Sequence, residues 1–320
     1  MKRLAWGLAV LMGLGLATNA NAQDRAMSIV TGGTGGVYYP LGGGLANMLT
    51  KYVKGWSATA EVTGGSVDNL KLVGAERADI AFAMADATLD SLRAEGKFKG
   101  QKLGLKTLAV LYPNRMHVVT TESTGIKSVA DLKGKRVSTG SQGSATEVMA
   151  FRVLQAAGLD PEKDITRERL GVAESTNAVK DGKIDAYFWV GGVPTSAVTD
   201  LGATPGLNLH LIDHSDLVEK MNAKWGPLYS QGIIKAESYP GQEADNKQAN
   251  VWNILVVHES MPDDVAYNIV KTIFEKKDEW VATHKAAAEV IMENQVAGNS
   301  PAAFHPGAVK FFTEKGHKVN

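Results

Sequence analysis

The sequence predicts an α/β protein whose parallel-rich sheet carries helices on both faces. Short apolar runs typical of strands alternate with helix-period segments along almost the whole chain. Two of these runs end in glycine turns that lead directly into helices, TGGTGG at residues 31–36 and GSQG at residues 140–143. Glycine lets the backbone approach a ligand closely, and the unpaired N–H groups at a helix start favour an anion. Two such turns in one chain predict two lobes with a ligand held between them.

The first helix is predicted from its apolar spacing. Leu41, Leu45, Met48 and Tyr52 recur three or four residues apart, directly after the TGGTGG turn. Pro40 suits a first helical turn, because its missing N–H would have no partner there.

The later elements are separated by turn residues and by capping patterns. Asp86 is a predicted N-cap, Ser144 and Glu147 form an S-x-x-E capping box, and Gly158 ends that helix. Further strands are predicted at residues 58–62, 79–84, 105–111, 117–121, 184–190, 207–212 and 252–258. Further helices are predicted at residues 66–77, 86–95, 128–132, 144–157, 262–277, 280–294 and 306–316. Residues 226–249 are polar and rich in glycine and proline, which favours irregular structure.

The first 22 residues have the pattern of a secretory signal peptide. Lys2 and Arg3 precede an apolar run, and Ala20-Asn21-Ala22 is a small-x-small cleavage site. A membrane anchor is the alternative, but the run is shorter than the roughly 20 residues that a span needs. We therefore expect cleavage after Ala22 and export to the periplasm.

Charge and cysteine content exclude several classes of function. The chain has 34 basic and 34 acidic residues and no basic cluster, so no nucleic-acid partner is predicted. With no cysteine it forms no disulfide, zinc-thiolate site or cysteine nucleophile. The seven histidines are scattered, and no metal site, cofactor or Ser/His/Asp arrangement is predicted.

The TGGTGG turn also resembles the cofactor turn of short-chain dehydrogenases, and Tyr267 and Lys271 match their YxxxK pattern. A dinucleotide site needs an acidic residue about twenty positions after its turn. Glu61 is near that distance but is followed by another glycine turn, and the YxxxK pair comes too late in the chain. We therefore predict a binding protein and not an enzyme.

A series of ordered motifs extends over nearly the whole mature chain. It comprises TGGTGGVYYPLGGGLANML at 31–49, GGSVDNL at 64–70, ADIAF at 78–82, SVADLKGKR at 128–136, GSATE at 143–147, KDGKIDA at 180–186, YPGQ at 239–242, LVV at 255–257, MPDDVAY at 261–267 and HPGA at 305–308. Their order and spacing resemble the TAXI solute receptors of TRAP transporters, the tripartite ATP-independent periplasmic transporters.

The resemblance implies a type II-like periplasmic binding protein with two lobes joined by a hinge, each lobe a β-sheet flanked by helices. Turn-rich joins place lobe I at residues 23–120 plus 231–320 and lobe II at residues 121–230. Such a receptor, expected to be a monomer, closes on a small ligand and delivers it to a membrane permease, commonly a fused subunit driven by an ion gradient. A binding protein that feeds a signalling partner is the alternative.

The chain departs from the family pattern at three places. Met84-Ala85-Asp86 stands where the family often has Gln-x-Asp, Ala145 replaces a glycine in Gly-Ser-Gly-Thr, and Trp225-Gly-Pro-Leu-Tyr229 replaces a Tyr-Pro-x-Tyr region. The first two departures lie near the expected cleft.

The predicted ligand-binding residues lie at three helix starts and at one strand end. They are Thr34, Gly35, Gly36, Tyr38, Tyr39, Ser66, Asn69, Gly143, Ser144, Ala145, Thr146, Trp189, Gly192, Pro194 and Thr195. Arg115, near the join of the lobes, is the one basic residue that could reach the ligand.

The convergence of helix starts favours a small organic anion as the ligand. The resemblance adds C4–C6 dicarboxylates and acidic amino acids such as glutamate or 2-oxoglutarate, because some relatives take such compounds.

Overall fold

The computed structural model describes residues 25–319, so the predicted signal peptide and its cleavage site lie outside the described residues. The strands in this range are β1 (Arg25–Val30), β2 (Trp56–Glu61), β3 (Ile80–Met84), β4 (Leu105–Thr121), β5 (Arg136–Ser138), β6 (Thr166–Glu168), β7 (Ala186–Gly191), β8 (Leu209–Leu211), β9 (Tyr229–Ile234) and β10 (Asn246–His258). The α-helices are α1 (Tyr38–Tyr52), α2 (Ser66–Gly74), α3 (Ala85–Arg93), α4 (Ala145–Ala156), α5 (Val172–Lys180), α6 (Ser196–Gly202), α7 (Val218–Trp225), α8 (Asp263–Glu275), α9 (Lys277–Thr283) and α10 (Pro306–Glu314).

These strands form one mixed sheet in the order β2-β1-β3-β10-β4-β7-β5-β6, with β8 on β4 and β9 on β10. At one end β1 is parallel to β2 and β3, and at the other end β5 is parallel to β6 and β7. The central pairs β3–β10, β10–β4 and β4–β7 are antiparallel. The predicted parallel pairing therefore holds at the two ends of the sheet, which antiparallel strands connect.

Two long strands cross from one half of the sheet to the other. The C-terminal part of β10 pairs with β3, and its N-terminal part pairs with β9. Likewise β4 pairs with β10 along its first part and with β7 along its last part. The register between β4 and β10 shifts between Trp252 and Ile254, as at a β-bulge, in the middle of this crossing.

The larger cluster of buried apolar side chains covers both faces of the sheet around β3 and β10, and all five residues of β3 are buried. A smaller cluster, which includes Tyr187, Val198 and Tyr239, lies where α5 and α6 cover β7. A strand buried on both faces is typical of a sheet between two helical layers.

The structure corrects the sequence prediction at several elements. The predicted strands 105–111 and 117–121 are one strand, β4, which runs through Pro113. The segment predicted to be irregular contains β9 and the start of β10, where the polar Asn246 and Gln248 are buried. The predicted helix 280–294 ends at Thr283 and continues as 3-10 turns. The lobe boundary at 230/231 stays a prediction; its residues belong to β9.

Candidate ligand-binding cleft

A cavity of about 410 Å³ lies between the two halves of the sheet. The first wall comprises Gly32, Gly33, Gly36, Val37, Tyr38, Val62, Thr63, Gly64, Gly65, Ser66 and Met84. The second wall comprises Gly140, Ser141, Ser144, Ala145, Thr146, Arg169, Leu170, Gly171, Val172, Glu174, Trp189, Val190 and Gly191. This volume lies within the roughly 300–1,000 Å³ of small-molecule sites.

In the first wall, Tyr38 begins α1 and presents an uncharged hydroxyl. Its oxygen lies 3.5 Å from the Ser66 hydroxyl and accepts a hydrogen bond from the Asn114 side-chain amide at 3.4 Å. The Tyr38 ring packs on Phe82, with ring centroids 5.3 Å apart. Desolvation raises the pKa of Tyr38, so its hydroxyl keeps its proton at neutral pH.

At the start of α2, two backbone donors are already paired with the opposite side of the cleft. The backbone N–H groups of Val67 and Asp68 both donate to the Gly143 carbonyl of the opposite side, each at 3.1 Å. The Ser141 hydroxyl donates to the Gly64 carbonyl at 2.8 Å and adds a second link across the cleft. Two of the N–H groups that the Ser66–Asn69 turn was expected to offer to an anion, those of Val67 and Asp68, are therefore paired within the protein in this arrangement.

The side chain of Asn69 holds the first wall together from behind. Its amide nitrogen donates to the carbonyls of Thr31 and Phe82, and its oxygen accepts from the Thr63 hydroxyl. Asn69 is completely buried and does not line the cavity. Its polar atoms are satisfied within the protein and are not available to a ligand.

In the second wall, α4 begins with the predicted cap. The Ser144 hydroxyl accepts from the Glu147 N–H at 3.1 Å and donates to the Ser141 carbonyl at 2.7 Å. Within the described residues, the N–H groups of Ala145 and Thr146 have no acceptor, and both residues line the cavity. Free first-turn amides at the positive end of a helix dipole are suited to binding an anion.

Charged side chains line only the second wall. Arg169 and Glu174 face the cavity, and the Arg169 Nε lies 3.5 Å from the buried Glu147 carboxylate. Glu147 also forms an ion pair with Lys97 at 2.8 Å, and Arg167 lies 3.7 Å away. Several cations therefore surround Glu147 at the start of α4.

Trp189 extends from the second wall to the first. A Cβ added to Gly36 would lie 2.7 Å from the indole, so only glycine permits this contact. The indole N–H donates to the Thr195 hydroxyl at 2.9 Å, and the Thr195 N–H donates to the Tyr239 hydroxyl at 3.1 Å. This chain of bonds fixes the plane of the indole from behind.

His117 completes the support behind Trp189. Its Nδ1 lies 2.9 Å from the Arg115 carbonyl, which can only accept, so Nδ1 carries the proton. Burial lowers the pKa of His117 to about 4, so the ring is neutral near pH 7. Nε2 then accepts from the Tyr239 hydroxyl, 2.8 Å away.

The structure brings about half of the sequence-predicted residues to the cavity. Those that line it are Gly36, Tyr38, Ser66, Ser144, Ala145, Thr146 and Trp189. Those that do not line it are Thr34, Gly35, Tyr39, Asn69, Gly143, Gly192, Pro194 and Thr195. The side chain of Arg115 is also directed elsewhere, in a two-bond ion pair with Glu289.

Most of the residues outside the cavity support its walls. Gly143 closes the start of α2, Thr195 positions Trp189, and the Gly35 carbonyl accepts from the Ser196 hydroxyl at 3.0 Å. The Pro194 carbonyl lies 3.1 Å from His284 Nε2. Tyr39 is instead 38% exposed, because it falls on the outer side of α1.

Sequence reasoning missed the start of α5, where residues 169–172 and Glu174 line the second wall. Gly171 directly before a helical stretch was a usable signal, since glycine often precedes a helix start. It also missed the rim residue Val62, which is 57% exposed.

The dehydrogenase alternative gains nothing from the geometry. Tyr267 lies on α8, where its hydroxyl donates to Glu314 on α10 at 2.6 Å, and neither Tyr267 nor Lys271 lines the cavity. In residues 25–319 no group of three or more His, Asp or Glu side chains could hold a metal ion. No helix in the same range is long and apolar enough to cross a bilayer.

The chain was compared with known protein families and with solved structures. The model of the NMT1-like family matches residues 29–316. A Bordetella bronchiseptica RB50 protein is similar in structure, with a TM-score of 0.54 and 19% identity, over 90% of this chain and 88% of that one. A putative L-cystine ABC transporter structure from Listeria monocytogenes has a TM-score of 0.51 and 16% identity, over 83% and 95%.

A structure from Streptococcus mutans, described for glutathione import via GshT and the cystine ABC importer TcyBC, has a TM-score of 0.52 and 13% identity, over 84% and 97% of the two chains. At such identities the likeness concerns the fold alone. The fold class predicted from the sequence, an α/β protein of the two-lobed periplasmic-binding type, is confirmed.

Proposed function

The chain belongs to the NMT1-like family, and we propose from this premise that it is a periplasmic solute receptor that closes on a small organic anion and delivers it to a membrane permease. The observation that carries the proposal is the start of α4. Its free amides lie at a cavity between two halves of the sheet, beside Arg169. Such amides stabilise a nearby anion by roughly 0.3–1 kcal/mol, or up to about 2 when partly buried.

For the permease we propose a TRAP transporter, because the ordered motifs resemble TAXI receptors. An ABC importer is the second candidate, since two similar structures are described with cystine ABC transporters. Proteoliposomes that contain either permease class would separate them. Uptake that needs an ion gradient supports the TRAP proposal, and uptake that needs ATP contradicts it. A neighbouring sensor-kinase gene would instead favour the signalling alternative.

We also propose that the two halves of the sheet are the lobes of the receptor and that the crossing of β4 and β10 is the hinge. The register shift near Trp252 and the pairing of Asn250 on β10 with Arg115 on β4 support a hinge within these two strands. Export with cleavage after Ala22 and a monomeric state are part of the proposal. Mass analysis of the periplasmic protein should give an N-terminus at Gln23.

The proposal is tested first by the compound that the protein retains. Mass spectrometry of protein purified from periplasm should recover a carboxylate chemically unchanged, and that compound should raise the melting temperature. NAD and NADP should do neither. A panel of carboxylates, including glutarate, glutamate and 2-oxoglutarate, with sugars and neutral amides as controls, tests anion binding directly.

Thr146→Val should weaken binding of the recovered anion about tenfold, since hydrogen bonds to charged groups contribute about 1.5–3 kcal/mol. Thr272→Val is the matched control, because Thr272 is a buried helical threonine on α8, and it should leave affinity unchanged. Equal affinities of the two variants would contradict the assignment of α4 as the anion site.

A further inference from the structure

Away from the start of α4, most of the side chains that line the cavity are apolar. The first wall contributes the side chains of Val37, Val62 and Met84. The second wall contributes Leu170, Val172, Val190 and the indole of Trp189. A ligand that fills this space must therefore place an apolar surface against both walls.

Most hydroxyls of the cavity are already occupied by protein partners. Those of Ser141 and Ser144 donate to backbone carbonyls, and Ser66 accepts from the Met84 N–H. The Thr63 hydroxyl donates to Asn69 and accepts from the Gly65 N–H. Thr146 differs, because its hydroxyl has no partner among the described residues although only 5% of the residue is exposed. A hydroxyl without a protein partner, on a residue that lines the cavity beside free amides, points to a polar ligand group at this place.

A second anionic group would find no cationic side chain of its own among the described residues at the cavity. The start of α2 is closed by the Gly143 carbonyl, and the start of α5 carries the Glu174 carboxylate in its first turn. The start of α1 lies next to Gly36, against which the Trp189 ring packs. In the part of the chain that the structure describes, Arg169 is the one cationic side chain that lines the cavity.

We infer that the ligand carries a single anionic group, bound at the start of α4 beside Arg169 and Thr146, and an apolar body that packs against Trp189 between the two walls. The inference rests on the proposed function and narrows its substrate class from small organic anions to monocarboxylates with an apolar chain or ring. A compound with carboxylates at both ends would bury one of them among valine, leucine and methionine side chains, which is unfavourable without a partner.

Matched pairs of compounds test this inference. Titration calorimetry with the mature protein, freed of retained ligand, would compare propanoate, butanoate, pentanoate and hexanoate with glutarate, adipate and 2-oxoglutarate. Affinity should rise about fourfold per added methylene until the cavity is filled, the factor that burial of one methylene group gives. Pentanoate should bind at least tenfold more tightly than glutarate, and hexanoate at least tenfold more tightly than adipate, the dicarboxylates of the same chain lengths.

The possible results separate the two proposals. Tighter binding of glutarate than of pentanoate overturns the inference and leaves the proposed anion receptor intact. A flat affinity along the monocarboxylate series overturns it as well. Failure of every carboxylate, together with binding of a sugar or a neutral amide, overturns the proposed function itself.

Trp189→Leu gives a second readout. Because the indole is the largest apolar surface of the cavity, this variant should weaken hexanoate binding at least fivefold and propanoate binding less than twofold. Trp56→Leu, in β2 outside the cavity, is the matched control and should leave both affinities unchanged. An equal loss for both compounds in Trp189→Leu would contradict packing of the apolar body on the indole.

Discussion

The starts of α2 and α4 face each other across the cleft, and both follow a glycine turn that ends in serine. At α2 the amides of Val67 and Asp68 donate to Gly143, and the Ser66 hydroxyl accepts from a strand N–H instead of capping the helix. At α4 the serine is the cap, and the next two amides have no acceptor among the described residues. One helix start thus holds the two sides together, while the other remains available to a ligand.

The difference shows that a helix start is an anion site only where its donors have no other partner. The carbonyl that closes α2 comes from Gly143, more than seventy residues later in the chain. Local sequence cannot indicate such a partner, because it depends on how the two halves of the sheet approach each other.

The largest expected effect concerns the cluster that joins the helices behind the two walls. Arg152 on α4 donates to Asp90 on α3 at 2.6 and 2.8 Å and to the Tyr229 hydroxyl, which donates in turn to Asp86. Arg152→Met should lower the free energy of unfolding by about 3–5 kcal/mol, because it leaves two acidic side chains buried without a cation. Urea unfolding at pH 7 measures the loss.

Lys235→Met is the control for this variant. Its partner Asp245 is exposed, so breaking that pair should hardly move the unfolding midpoint. An equal response of the two variants would mean that the Arg152 cluster does not hold the walls in place.

The stability of the protein around the second wall should fall in acid because of His117. Because the folded-state pKa lies near 4 and the ordinary value is 6.5, the unfolded chain binds the proton first as pH falls. The stabilising contribution is complete above pH 6.5 and should be lost towards pH 4, at a cost of up to about 3 kcal/mol. Urea unfolding at several pH values between 7 and 4 follows it.

His117→Gln should be less stable at pH 7 and should lose less stability on acidification. His214, also buried with its pKa lowered by desolvation, contributes part of the same acid lability and remains in the variant. Trp189 fluorescence should change near pH 4, where the folded protein takes up the proton, since protonated Nε2 can no longer accept from Tyr239. An unchanged pH dependence in His117→Gln would remove this histidine from the support of Trp189.

More of the fold than of the candidate site could be predicted from the sequence. The helical repeat of 3.6 residues and the short apolar runs predicted most elements. Burial of one face of a helix or strand leaves such a pattern in the local sequence. The first part of β10 was not predicted as a strand, because its buried side chains include the amides of Asn246 and Gln248. Such polar residues suggested a loop. The single strand β4 was predicted as two strands because its apolar runs at residues 105–111 and 117–121 are separated by residues 112–116, which include Asn114 and Arg115.

At the site, the capping pattern predicted the start of α4 correctly because Ser144 and Glu147 are close in sequence. The roles of Asn69 and Thr195 could not be predicted in this way. Their partners, the carbonyls of Thr31 and Phe82 and the hydroxyl of Tyr239, become neighbours only in the assembled sheet.

Gly64→Ala tests whether the contact between the start of α2 and the opposite side of the cleft depends on glycine. A Cβ at Gly64 would lie 2.4 Å from the Gln142 carbonyl oxygen, so the contact across the cleft could not form unchanged. We expect ligand affinity to fall about tenfold or more, with the melting temperature of the unliganded protein nearly unchanged. Gly43→Ala, on α1 with open space at its Cβ, should leave affinity intact. If Gly64→Ala binds the ligand as tightly as the wild type does, the contact at the start of α2 is not required for the cleft to close on the ligand.

The smallest expected effect separates capping from binding at Ser144. Ser144→Ala removes the acceptor of the Glu147 N–H and should cost about 1 kcal/mol of unfolding free energy. Ser144→Asn should recover most of that loss, because asparagine caps as well as serine does. Since the anion is assigned to the amides of Ala145 and Thr146, Ser144→Asn should also retain the affinity of the wild type for a carboxylate. Calorimetric binding and urea unfolding on the same samples measure the two quantities separately. If Ser144→Asn recovers stability but not binding, the Ser144 hydroxyl itself contacts the ligand, and the anion site extends to the cap residue.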